Sequence, residues 1–341
     1  QARIRGTELL VQKAKSAPSQ MNAASWYRDA LKLYRSIPDT DEQTEEVHRL
    51  MLDAQENIRD EMVPVSWAPS NPELQREARE HVDGLSLQTA LTRLAHSLSS
   101  PTLDEVEARA KERAQADPCK AFVPEERMNE MGHTISNKPG GFEQEEEILK
   151  YLMHRVMSRV RTRVAVNFIR PARNQITEDH YVRRQNLVEF ARYSLFVAEG
   201  RLLSISKGLL AGFKEDWVTV AHLLAPQLEA GLRHLLRQRG VITTGLDTQN
   251  IQEQKSLNRM LAEDSLRSPL EEMLARNVVY DLEGLLTESS GANLRNLVAH
   301  GLSDDGRYWS PPVEYMWWTT LRLISYFSVR GIDGSNTETQ E

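Results

Sequence analysis

Apolar residues recur along this chain at three- and four-residue spacing, the period of helices that bury one face. In the first 115 residues the segments Trp26, Ala30, Leu33 and Tyr34; Val47, Leu50, Met51 and Ala54; and Leu87, Leu91, Leu94 and Leu98 all follow it. Pro38, Pro64, Pro69, Pro72 and Pro101 separate these segments. Asn71-Pro72-Glu73 and Ser100-Pro101-Thr102 mark two helix starts, because proline suits the first helical turn. The alternation of helix and turn hints at a solenoid of helical pairs, yet no residue pattern repeats at a fixed period. With no catalytic motif in it, residues 1–115 read as a helical N-terminal domain offering an adaptor or sensor surface.

Residues 116–142 hold Pro118, Pro124, Pro139, Gly140 and Gly141 and few apolar anchors, which predicts a linker or ordered connecting loop. Glu143 to Ile169 then reads as one long helix. Its start carries Glu143, Glu145, Glu146 and Glu147, favourable against the positive end of the helix dipole. Leu152, Val156, Val160 and Val164 supply a buried stripe, while Arg155, Arg159 and Arg163 share another face, with Arg161, Arg170 and Arg173 nearby. That basic face either contacts phosphates or is solvated and ion-paired within the protein. Residues 178–197 and 201–212 are further helical patterns, and Asp216 caps the next element.

From Trp217 the positions 217, 221, 224, 228, 232 and 235 form a strong inward stripe, and Pro226 predicts a kink or a helix restart. His222, Glu229, Arg233 and Arg237 fall on a second stripe of this helix. Glu229 and Arg233 are either a simple i, i+4 pair or a support that orients Arg295 or His300. Short helices around 257–260 and 270–274 and an apolar helix over 278–286 follow. The last helix, Val313 to Val329, carries Trp317, Trp318, Leu321, Ile324, Tyr326 and Phe327, which suit a core or a dimer interface. A polar tail from Gly334 reads as disordered. The fold class is therefore all-α: an N-terminal helical domain (1–115), a connecting loop (116–142), a C-terminal helical bundle (143–333) and a tail (334–341).

Gly291 to Gly301 reads Gly-Ala-Asn-Leu-Arg-Asn-Leu-Val-Ala-His-Gly. At about 100° per residue, Leu294, Leu297, Val298 and Gly301 take one arc of a helix and Arg295, Asn296, Ala299 and His300 the other. Ser290 is the predicted N-cap, and Gly301 would end the helix directly after His300. A cation, an amide and an imidazole thus share one surface. Arg295-Asn296-x-x-x-His300 resembles the Arg, polar residue, three residues, His motif of the HEPN superfamily of all-helical nucleotide-binding and RNase domains. Asp216-Trp217, the run from His222 to Leu236 and Thr243 to Glu253 extend the resemblance to a bacterial HEPN-like branch, over roughly residues 195 to 305.

Composition narrows the class. The 341 residues are 40% hydrophobic and 27% charged, and no apolar run approaches the ~18 residues that span a bilayer. The single cysteine, Cys119, excludes an internal disulfide and a cysteine-based zinc site, which fits a reducing compartment and a cytoplasmic location. The first residues lack a signal-peptide core and a starting Met, as in a processed or excised piece of something longer. The net charge is −7, but residues 150–239 hold 16 basic against 7 acidic side chains, the local surface that RNA binding needs. No phosphate-binding Gly-rich loop, Gly-x-Ser-x-Gly elbow or His-Glu-x-x-His is present, and the nine histidines do not cluster at metal spacing. An ATPase, a serine hydrolase and a zinc enzyme are disfavoured, and no cofactor or metal is expected.

The resemblance implies a metal-independent endoribonuclease. His300 would move protons at the ribose 2′-hydroxyl or leaving 5′-oxygen, Arg295 would stabilise charge on the phosphorane, and Asn296 would orient the ring or contact a phosphate oxygen. His222, Glu229 and Arg233 would support them, and Arg155, Arg159 and Arg163 would hold the RNA backbone. One motif supplies one His while the chemistry needs an acid and a base, so two copies would pair with their motifs facing, as a homodimer formed through the C-terminal domain. Similar domains occur in bacterial toxin and phage-defence systems, a setting that leaves room for a regulatory partner. The reading from another class is a non-catalytic RNA- or nucleotide-binding or protein-interaction module.

Overall fold

A computed structural model describes residues 2–61, 70–117, 123–128, 134–138, 140, 145–246 and 251–328. Cys119, Pro64, Pro69, Glu143 and the tail from Gly334 lie outside the described residues. The described chain is helical apart from two small antiparallel sheets, and it divides into two compact units: Gln1–Trp67 with Pro124–Lys138, and Ala68–Val123 with Pro139–Glu341.

The first unit contains α1 (Ala2–Lys15), α2 (Gln20–Tyr34) and α3 (Asp41–Glu61). Ala23, Tyr27, Ala30, Leu31 and Tyr34 of α2 bury one face against Val47, Ala54 and Ile58 of α3. The start of α2 is fixed twice. Ser19 accepts from the Asn22 amide at 3.2 Å, and the Glu61 carboxylate accepts from the Gln20 amide at 2.8 and 3.0 Å, placing an anion on donors that a helix start leaves open. The stretch expected as a connecting loop carries β1 (Glu125–Met128) paired with β2 (Thr134–Lys138), strands too short to leave a readable period.

The second unit begins with α4 (Pro72–Glu80), α5 (Leu87–His96) and α6 (Leu103–Ala116). Asn71 caps α4 through the Glu73 and Leu74 amides, and Thr102 with Glu105 forms a capping box on α6. α7 (Glu145–Val164) continues through a π turn (Ala165–Ile169) into α8 (Arg170–Asp179), so the predicted long helix runs on for a further ten residues. The wider turn leaves carbonyls for side-chain amides: Asn167 donates to Arg163 O at 3.0 Å and Gln75 to Val166 O at 3.2 Å. There follow α9 (Arg184–Ala191), α10 (Leu202–Phe213), α11 (Trp217–Gln238), β3 (Thr244–Leu246) paired with β4 (Gln252–Gln254), α12 (Leu257–Ala262), α13 (Asp264–Leu274), α14 (Arg276–Leu286), α15 (Leu294–Ala299), α16 (Asp305–Tyr308) and α17 (Pro311–Tyr326).

The core forms around α17, which is buried on every side from Val313 to Leu321. Trp318 donates to Leu94 O of α5 at 2.6 Å and Trp317 to Leu209 O of α10 at 2.9 Å. Gly212 makes room for Trp317, whose ring a Cβ at that position would meet at 2.2 Å. Two expectations change here. Residues 72–115 are grouped with the N-terminal domain by their sequence pattern, but α4 and α5 put their apolar faces into the same core as α17. Of the aromatic helix, Trp317, Trp318, Leu321 and Ile324 are likewise taken up by this core, which leaves Tyr326 as its exposed aromatic.

Three arginines of the basic segment are also ion-paired within the fold, Arg161 and Arg173 buried and Arg170 half-buried. Arg161 is fully buried and donates to the Asp281 carboxylate at 2.7 Å and to Asp281 O at 2.8 Å, while Tyr315 donates to the other Asp281 oxygen at 2.6 Å. Arg170 pairs with the buried Glu314, and Arg173 with Glu215 at 2.6 Å. They neutralise acids within the fold. The buried face of α7 runs through Ile148, Tyr151, His154, Val156, Met157 and Arg161, so of the expected stripe Val156 is buried and Leu152, Val160 and Val164 are only half-buried. Asp281→Asn should cost roughly 3–5 kcal/mol by leaving Arg161 buried without its counter-charge. Tyr315→Phe should cost only about 1–3 kcal/mol. Urea denaturation of the two variants checks this ranking, and equal losses would contradict it.

Candidate functional site

The candidate site is assembled where α15 and α16 rest on α11. Asp216 opens α11 by accepting from the Thr219 amide at 3.1 Å, and Trp217, Ala221, Leu224, Leu228, Leu232 and Leu235 are all buried, as their spacing predicts. The helix does not restart at Pro226, which sits at an exposed position within one continuous element. Gly231 lets Phe196 approach the helix, since a Cβ there would lie 2.4 Å from that ring.

The motif helix is shorter than its sequence pattern. It begins at Leu294, and its N-cap is Asn293 in a left-handed conformation, φ 54°, which asparagine tolerates better than most residues. Ser290 is not the cap. It is buried in the preceding turn, where its amide and hydroxyl both donate to the Glu288 carboxylate. Gly291 then packs backbone to backbone on α14. A Cβ at Gly291 would fall 1.9 Å from Gly284 O, the acceptor that the Ala292 amide reaches at 2.7 Å. Gly284 is itself pressed on its other side by Arg161 and His154 of α7. The helix ends as predicted: Gly301 has φ 63°, its amide bonds Val298 O at 3.3 Å, and the Leu302 amide bonds Leu297 O at 2.9 Å, a Schellman ending.

The two arcs of the motif separate as expected within the helix, whereas Gly301, placed on the inward arc by its spacing, is exposed because the helix has already ended. Leu294 and Leu297 are buried, Arg295 and Asn296 half-buried, and Ala299 and His300 exposed. Glu229 is the hub. One carboxylate oxygen accepts from Arg295 Nε at 2.9 Å and the other from Arg233 Nη2 at 2.7 Å, and Arg233 continues to Lys255 O at 2.9 Å. The carboxylate thus spends each oxygen on a different guanidinium, the stronger, charge-assisted kind of hydrogen bond. Of the two support roles open to Glu229 and Arg233, the geometry provides the one that fixes Arg295.

Asn296 does not reach the His300 ring. Its amide donates to Asn293 Oδ1 at 2.8 Å and Thr287 O at 3.3 Å, and its oxygen accepts from Arg295 Nη1 at 3.3 Å, so it ties the loop to Arg295. His300 makes no side-chain hydrogen bond or ion pair to a described residue. His222, on α11, is exposed; its Nδ1 lies 2.9 Å from Val218 O and its ring 5.4 Å from that of Tyr308. No hydrogen bond joins either histidine to Arg295 or Glu229.

Arg155, Arg159 and Arg163 line the second half of α7, where no ion pair neutralises them among the described residues. Their neighbours across the contact with α6 are also basic. Burial and then the nearby charges of Arg113 and Arg155 hold the Arg159 guanidinium below its ordinary value. Arg109 and Arg113, one turn apart on α6, therefore belong with the α7 arginines, a pairing legible only as their four-residue spacing. Nothing in the geometry connects this group to Arg295. Among the described residues no set of three or more His, Cys, Asp or Glu could hold a metal ion, and no helix is long and apolar enough to cross a membrane. No family model, curated protein or solved structure matches the chain.

Beneath the motif loop, His154 is fully buried, neither ring nitrogen has a hydrogen-bond partner among the described residues, and the ring stacks on Tyr280 at 4.6 Å. Burial drives its pKa down to about 3, with Arg161, Lys150 and Arg267 adding to the shift and Glu288 opposing it. Between an unfolded value of about 6.5 and the folded one, the unfolded chain takes up a proton that the native state refuses. Stability should therefore fall as pH drops through that window. His154→Phe keeps the stacked ring without the charge and should flatten the acid limb; urea midpoints at pH 7.5 and 5 that drop equally in both proteins would refute this.

Proposed function

We propose that this chain is a metal-independent endoribonuclease of HEPN type, cleaving RNA to a 2′,3′-cyclic phosphate and a 5′-hydroxyl. The observation that carries the reading is the pairing of an exposed, uncommitted imidazole, His300, with a guanidinium five residues earlier that Glu229 holds in place. The imidazole exchanges protons near neutral pH. The Arg295 fork, with Nε on Glu229 and Nη1 on Asn296, retains Nη2 for a phosphate oxygen. In this reading Glu229, Arg233 and Asn296 position Arg295, and Arg155, Arg159 and Arg163 hold the RNA backbone.

The missing second proton-transfer group comes from a second copy, so the active form is a homodimer with two motifs facing. The exposed Ala299 beside His300 permits close approach. A cytoplasmic setting in toxin or phage defence, under a regulatory partner, follows from the resemblance. A non-catalytic RNA- or nucleotide-binding module is favoured by one fact: most donors of Arg295 and Asn296 are already engaged within the protein.

Incubating the purified protein with total RNA in EDTA and mapping the ends separates the two. Cyclic-phosphate ends should appear, His300→Ala should lower cleavage by about 10²–10⁴-fold and Arg295→Ala by about 10²–10³-fold. Ends bearing 3′-hydroxyls under a strict Mg²⁺ requirement would overturn the mechanism. Binding of RNA without any cleavage would favour the second reading. A monomer by light scattering with full activity would remove the paired-motif arrangement.

A further inference from the structure

A pocket of about 390 Å³ opens between α4, the end of α5, α6, the second half of α7 and the π turn, within the range of small-molecule sites. Its walls are apolar. Leu98, Val164 and Phe168 pack on the main core yet stay partly exposed, and Leu74 on α4 is 39% exposed. The π turn supplies Phe168, and such interruptions of the helical ladder recur at functional sites.

The polar groups inside are already spent on one another. His81 Nε2 lies 2.6 Å from Ser97 Oγ, which also donates to Arg93 O. Burial first and Arg93 second keep His81 below its ordinary pKa, hence uncharged near neutrality. Asn167 accepts from the Asn71 amide at 2.7 Å and donates to Arg163 O at 3.0 Å. The pocket therefore offers no free pattern of donors and acceptors with which to read a base edge. Charge is confined to the lining residues Arg109, Arg163 and Glu77. No hydrogen bond or ion pair to a described residue engages either guanidinium, so two cations against one carboxylate leave a local charge of one.

We propose that this pocket binds a small amphipathic monoanion, its apolar body against Leu98, Val164 and Phe168 and its single carboxylate or equivalent acid on Arg109 and Arg163. The unpaired positive charge matches one negative charge, and apolar walls with no readable polar pattern fit an acyl or aryl body better than a nucleobase. This site does not involve Arg295 or His300, and it shares Arg163 with the face of α7 proposed to hold the RNA backbone.

Calorimetric titration of the whole chain with decanoate, below its aggregation concentration, tests the proposal. One molecule should bind per chain. Arg163→Gln and Arg109→Gln, both exposed positions, should each weaken it by about tenfold or more. Leu74→Trp, at an exposed lining position, should weaken binding by narrowing the pocket, with thermal unfolding unchanged. Acetate binding as well as decanoate, or decyltrimethylammonium binding equally, would overturn the proposal. So would finding that the two arginine variants leave decanoate untouched and weaken only a single-stranded RNA oligomer, because the guanidiniums would then serve the phosphate-contacting face of α7.

Discussion

The second unit depends on one buried carboxylate. Asp281 of α14 receives Arg161 from α7 and Tyr315 from α17, tying together by polar contacts three helices that also pack through apolar neighbours such as Tyr280 and Met157. A cation without exposed surface is tolerable only with its counter-charge and its hydrogen bonds in place, so the register of α7 against α14 is specified at this point and not merely favoured. Everything placed relative to those helices inherits that register. The motif loop rests on Gly284, which also packs against Arg161, and the α7 residues that line the pocket, Val160, Arg163 and Val164, lie within three positions of Arg161. Burial also pushes the Tyr315 hydroxyl far above its ordinary pKa, so it remains a donor to Asp281 at any pH the protein meets.

Local signals were legible where one element carried all the information. The Asn71-Pro72 start, the stripe of α11 and the glycine ending after His300 depend on neighbours in sequence, and the fold has them where the spacing puts them, while the start expected at Ser100-Pro101-Thr102 is shifted so that Thr102 is the cap and Pro101 precedes the helix. Arg161 is the opposite case. It sits two residues from Arg159 and from Arg163, and only the presence of Asp281, 120 positions away, decides that it is buried while they are not. The same holds for the turn before the motif. Ser290 has the right chemistry for a cap, but Glu288 claims it, and the close contact of Gly291 with Gly284 leaves Asn293 to open the helix. The π turn and the inclusion of α4 and α5 in the main core are likewise settled by packing across the chain, about which periodicity is silent.

At the candidate site, order is unequally distributed. Arg295 is anchored through two of its nitrogens, and its anchor Glu229 is itself pinned by Arg233, which reaches on to Lys255 O. His300 terminates a six-residue helix with its ring in solvent. For the proposed ribonuclease, the electrostatic part of the site is prepared in the free chain, whereas the proton-transfer part acquires its orientation from whatever comes to face it. A second copy and an RNA strand would both do so.

The contact between Gly284 and Gly291 bears on how this site ages in evolution. It joins the motif loop to its support through main-chain atoms alone, with the Ala292 amide closing on Gly284 O. Surrounding side chains can be exchanged without altering that distance, but neither glycine can acquire one. The backbone that carries the motif is thus held by two positions that tolerate no side chain, while the guanidinium it presents depends separately on Glu229, Arg233 and Asn296.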